Sequence, residues 1–89
     1  MALKLKGAQI AATTAVATAN NVSSATCVLV QNVGDTSRLV TLVDNAVSAA
    51  TVGSFNLPPN QNIRLEKTST DEIYAASTEI KLTPIAYST

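Results

Sequence analysis

The chain has no histidine, no tryptophan and one cysteine, Cys27. Without imidazole, the commonest general base at neutral pH is missing. Ser–His–Asp and Cys–His constellations are excluded with it. One cysteine allows no disulfide within the chain, and a zinc site needs several His or Cys ligands. Cys27 sits in an apolar run and reads as a small buried hydrophobe rather than a reactive thiol, which would want a cationic neighbourhood. A lone reduced cysteine fits a reducing compartment. The three glycines, Gly7, Gly34 and Gly53, lie too far apart for a dinucleotide or phosphate-binding loop. The expectation is a non-enzyme with no cofactor and no metal.

Charge excess is also missing. Six basic and six acidic residues leave a net charge of zero. A nucleic-acid binder would show a basic stripe, and a membrane-surface binder a basic amphipathic helix. Neither is present, and no apolar run approaches the ~18 residues of a membrane span. The opening MALKLKGAQIAATTAVATA lacks the continuous apolar stretch of a secretory leader. Neutrality offers little self-repulsion, which suits close packing of many copies. Aromatics are scarce as well: Phe55, Tyr74 and Tyr87 are the three. The core must be built from Val, Leu, Ile and Ala, with Phe55 its largest member. Such a core leaves a thin margin for 89 residues, so a partner or an oligomer would add stability.

What is present is period-two alternation rich in β-branched residues. Leu3, Leu5 and Ile10 flank lysines and a glycine, as in an extended arm or first strand. Thr13 to Ala19 is Ala/Thr-rich, and propensity leaves strand and short helix open. Asn20-Asn21 signals a turn. Thr26 to Asn32 reads as a strand, with Cys27, Leu29 and Gln31 on one face and Val28 and Val30 on the other. Its near-continuous apolarity predicts that both faces are covered. Gly34-Asp35-Thr36 supplies turn chemistry, and Arg38 to Asp44 follows as the hairpin partner. Asn45 to Ala50 reads as a loop. Thr51 to Leu57 resumes alternation, with Gly53 marking a bulge or a close backbone approach. Pro58-Pro59-Asn60-Gln61 ends that strand in a turn. Asn62 to Lys67 places Ile63 and Leu65 inward and Arg64 and Glu66 outward. Glu72 to Ala76 is a short strand. Glu79 to Tyr87 is the last, and Pro84 should confine it to a sheet edge or a bulge. Six to eight short strands at roughly ten-residue spacing read as one small antiparallel β-sandwich or barrel spanning residues 1–89, with residues 1–12 as a candidate extended arm.

Polar groups give little to build a site from. Asp71 and Glu72 are adjacent, and Glu66 lies across a short connection; all read as solvated turn acids, too few for a calcium loop. Asn20, Asn21, Asn32, Asn45, Asn60 and Asn62 fall at loop ends, where asparagine caps turns and tolerates the left-handed region. Arg38, Arg64, Lys67 and Lys81 are scattered. The candidate partner contacts are Leu3, Lys4, Leu5 and Lys6, in a mobile or docking arm, with Tyr74 and Tyr87 as interface anchors.

Two long runs, ATCVLVQNVGDTSRLVTLVDN and VGSFNLPPNQNIRLEKTSTDEIYAAS, carry a resemblance. A hairpin ending near Val30 to Gly34 is followed by the strand GSFNL, Gly53 to Leu57. The Pro/Asn turn Pro58 to Gln61 comes next, then IRLEK (Ile63 to Lys67), then TDEIYAAS (Thr70 to Ser77). Over about two thirds of its length the chain resembles small β-sandwich virion proteins of tailed bacteriophages, especially those of marine and cyanobacterial phages. The resemblance implies a structural part of the particle, assembled in the host cytoplasm. It points first to a capsid decoration (cement) protein on the major capsid protein lattice. A tail, neck or fibre component is the alternative, and a small glycan- or host-surface-binding module the alternative from another class.

Overall fold

A computed structural model of the chain describes residues 3–44 and 50–87. It contains eight strands: β1 (Leu3–Leu5), β2 (Ile10–Ala11), β3 (Cys27–Asn32), β4 (Arg38–Asp44), β5 (Ala50–Leu57), β6 (Asn62–Glu66), β7 (Glu72–Ala75) and β8 (Ile80–Tyr87). The fold is all-β, two antiparallel sheets forming a small sandwich. In the first sheet β8 is flanked by β3 on one side and by β1 and β2, end to end, on the other, with β6 beyond β3. The second has the order β5-β4-β7. The loop expected at Asn45 to Ala50 lies outside the described residues, except that Ala50 opens β5.

The alternation read from the sequence sets the core. Val28 and Val30 of β3 and Ile80 and Leu82 of β8 face Val40, Leu57, Ile73 and Ala75 of the second sheet, and all are at most 2% exposed. Each fully buried Val, Leu or Ile is worth about 1.5–3 kcal/mol. Phe55 is only partly buried, packed against the margin of this cluster. Two core residues come from the N-terminal segment, Ala12 and Val22. That segment crosses between the sheets. The Ala12 N–H donates to the Ile80 carbonyl in the first sheet (2.8 Å), while Thr13 and Asn20 bond β7 in the second. Between them Val16–Thr18 forms one 3₁₀ turn, resolving the choice left open for Thr13 to Ala19.

Several expectations need correcting. β3 and β4 are not a hairpin. They lie in different sheets, and β4 pairs with β5 and β7 instead. The cause is Asn32, which is 1% exposed. Its Oδ1 accepts from the Gly34 N–H (2.9 Å), turning the chain out of the first sheet. Its Nδ2 donates to the Thr36 and Leu57 carbonyls (2.8 and 2.9 Å), fastening β4 and β5 to that corner. β3 is also covered on one face only. Val28 and Val30 are sealed, whereas Cys27, Leu29 and Gln31 face outward and are half-buried, so Cys27 is not a core residue.

Pro84 sits in a central strand rather than at an edge. The Lys6 N–H donates to its carbonyl (2.9 Å), so the side of Pro84 that lacks a donor also faces β1 and β2. There the neighbouring strand is interrupted. β1 pairs Leu5 with Ile85, β2 pairs Ile10 with Leu82, and past the Lys6 bond Gly7 to Gln9 lie outside both strands. The irregularity that proline demands is carried by the strand beside it. A Cβ on Gly7 would lie 2.9 Å from Pro84 Cγ, so the interruption needs glycine. The bulge expected at Gly53 falls beside it. Leu42 pairs with Gly53 and Val43 with Thr51, leaving Val52 unpaired.

Candidate interaction surface

Five of the six sequence-predicted contact residues come together on one ladder. β1 pairs with the end of β8 through Leu3↔Tyr87, Lys4↔Ala86 and Leu5↔Ile85, and Lys6 extends it by its bond to Pro84. The N-terminal segment is therefore extended, as expected, and held as a strand beside the C-terminal one. Lys4, Leu5 and Lys6 are exposed, and Leu5 at 72% is the most exposed large hydrophobe among the described residues. The sixth, Tyr74, lies apart in β7, half-buried and paired with Thr41.

Beside this ladder is a groove of about 240 Å³ between Lys6, the Ser23–Thr26 segment and Pro84–Ala86. Its wall is an unusual piece of backbone. Val22, Ser23 and Ser24 have φ of 55°, 57° and 57°, three consecutive left-handed residues and none of them glycine. Each costs about 1–2 kcal/mol. The turn is held by the asparagines before it. Asn20 Oδ1 accepts from the Val22 N–H (2.6 Å) and Asn21 Oδ1 from the Ser24 N–H (3.2 Å). The Ala25 N–H closes onto the Val22 carbonyl (3.1 Å), and Asn20 is bonded through its own N–H and carbonyl to Ile73. Burial of Val22, at 1% exposure, adds to the hold. Asn20 and Asn21 thus mark a turn, as the sequence implied, but impose the left-handed conformation on their neighbours. Asn60, with φ of 60°, adopts it directly.

Chemically, the groove offers the hydroxyls of Ser23, Ser24 and Thr26 and the Lys6 ammonium over an apolar floor of Pro84, Ile85 and Ala86. That suits a polypeptide segment with both apolar and polar groups. Elsewhere, among the described residues, no three His, Cys, Asp or Glu side chains are placed to hold a metal ion. Two polar clusters do structural work. Arg38 Nε and Nη2 both donate to Glu79 Oε1 (3.1 and 2.8 Å), and that carboxylate lies against Gly34 at the Asn32 corner. Asp71 is not a solvated turn acid. It is 7% exposed, and its Oδ2 accepts from the Thr68 N–H (3.4 Å) while its own N–H donates to the Thr68 carbonyl (3.1 Å). Lys67, also 7% exposed, has its ammonium held below the ordinary lysine value by burial, with Asp71 and then Glu72 pulling it back up.

The sequence reading missed Asn32 as a buried tie and the strained Val22–Ser24 turn. The signals were Asn32 two residues before Gly34, which is Asx-turn spacing, and two asparagines running directly into the segment that must turn. Known protein families, curated proteins and solved structures contain no match to this chain.

Proposed function

We propose that this chain is a non-enzymatic virion structural protein, a capsid decoration protein that binds the major capsid protein lattice of a tailed bacteriophage. The strand-level resemblance supplies the biological setting. The observation that carries the reading is the gathering of Lys4, Leu5, Lys6 and the ends of both terminal strands beside one groove walled by a strained turn. Backbone held in a sparsely populated region at an exposed groove is where binding sites concentrate. Leu5 is held out to solvent on a paired strand, so docking it costs less ordering entropy than docking a free arm. Zero net charge suits a protein that packs in many copies.

Binding to purified expanded capsids tests the proposal. The protein should saturate them at an icosahedral copy number, and Leu5→Asp should weaken that binding at least about tenfold, the loss of ~1.4 kcal/mol at an anchor. Because Leu5 is exposed, the same change should alter folding stability by no more than ~0.5 kcal/mol. Recovery of the protein only with purified tails would overturn the decoration reading and leave a tail or neck component.

A further inference from the structure

We propose that β5 is a self-association edge, where two copies of this chain pair antiparallel about a two-fold axis through Phe55. The inference is independent of the capsid reading and goes beyond it. Sheet edges are hazards that proteins blunt with charge, short length or cover. Three edges here are blunted. β1 has three residues, carries Lys4 at its centre and is followed by Lys6. β6 carries Arg64 and Glu66. The outward backbone of β7 is taken up, since Ile73 bonds Asn20 in both directions and the Ala75 N–H donates to the Thr13 carbonyl (2.9 Å). The fourth edge, β5, has eight residues and no charged side chain, and among the described residues only β4 pairs with it.

The ladder defines which groups it presents. The Ala76 N–H donates to the Leu39 carbonyl (2.9 Å), so Leu39 and Thr41 aim their backbone at β7. Arg38, Val40 and Leu42 aim theirs at β5 and engage Leu57, Phe55 and Gly53. The N–H and C=O of Ser54 and Asn56 therefore point away from the molecule. These two residues are symmetric about Phe55. A second copy in the register Ser54↔Asn56, Phe55↔Phe55 satisfies all four donor and acceptor pairs and sets the two partly buried Phe55 rings side by side. Both ends of the pairing are fixed. Pro58, the next outward position, has no N–H, and Val52 opposite it is the unpaired bulge residue, 58% exposed. The absence of charge lets like meet like, and the isologous pairing closes at two copies.

The test uses the whole 89-residue protein. Sedimentation from about 10 µM to 1 mM, where a small transient interface dissociates, should show a monomer–dimer equilibrium. Replacing both exposed residues, S54K with N56K, puts lysines opposite one another across the axis and should leave a monomer over the same range. Should that variant fold poorly, amide hydrogen exchange of the unaltered protein decides. Ser54 and Asn56 amides should exchange more slowly as concentration rises, while Asn62, Arg64 and Glu66 on the β6 edge do not change. A protein monomeric at 1 mM, a dimer indifferent to S54K/N56K, or protection confined to β6 would each overturn the proposal.

Discussion

Asn32 shows how one side chain settles a topology. The residue is 1% exposed, and its amide makes three hydrogen bonds, the one to Leu57 fully buried and those to Thr36 and Gly34 partly so, each joining a different segment to the corner. Asn32→Ala would leave the Thr36 and Leu57 carbonyls and the Gly34 N–H without it, at about 1–3 kcal/mol for each group left unsatisfied and buried. The expected loss is about 3–5 kcal/mol in chemical denaturation. Asn32→Asp, nearly the same shape, should be at least as damaging, because it turns an oxygen toward two carbonyls. Lys67 shows the opposite situation, a charge that burial opposes. Its folded value lies below the ordinary 10.5, so the folded state carries a penalty that is full while both states are protonated. The penalty is relieved as pH rises through the folded value and is gone above 10.5, where neither state holds the proton. Lys67→Met should therefore melt higher than the parent protein at pH 7, by a few degrees. The gap should close in melts near pH 11, and a gap that widened there would refute the desolvation account.

Elements were legible where they rest on alternation and obscure where they rest on pairing. Val28 and Val30, two residues apart, announce an inward face without any partner. Nothing in β3 or β4 says whether they meet, since both alternate equally well, and the decision lies with Asn32. Pro84 misled for a related reason. Its missing N–H rules out a donor but does not say which strand must do without it, and the break between β1 and β2 sits far away in sequence. The terminal ladder was invisible because local sequence carries no mark of which strands its ends will join. The candidate residues Leu3 to Lys6 and Tyr87 were identifiable singly, by exposure-prone position, but not as neighbours. The left-handed turn offers a prediction at this scale. Ser23→Gly and Ser24→Gly remove about 1–2 kcal/mol of backbone strain each. They add back ~0.4–1 kcal/mol of unfolded-state entropy. The double substitution should stabilise the fold by about 1 kcal/mol in urea titration. If the groove's wall matters for docking, it should also weaken capsid binding, because a looser turn must be ordered on contact.

At the scale of the molecule, the two long sides of the sandwich differ. On one, the N-terminal segment crosses from β2 to β7, contributes Ala12 and Val22 to the core and covers the β7 edge. On the other, β5 and β6 leave most of their residues exposed. The radius of gyration, 12.2 Å, is that of an ordinary single domain of this length, roughly 2.2·N^0.38 Å. Its extents of 33 × 33 × 19 Å make it a thin slab whose sheets are each one layer from solvent. Stability must therefore depend heavily on the crossing segment and little on β1. Removing residues 1–6 takes away the short β1 ladder and the Lys6–Pro84 bond and leaves Ala12 and Val22 in the core. At ~0.5–1.5 kcal/mol per hydrogen bond, the truncated protein should lose about 1–4 kcal/mol and still unfold cooperatively. Removing residues 1–22 deletes Ala12 and Val22 and strips the β7 edge, and that protein should not fold to a cooperative state. Thermal melts of the two truncations separate the roles. A six-residue truncation that keeps its fold but no longer binds capsids would place β1 at the interface. One that binds unchanged would move the contact surface elsewhere on the slab.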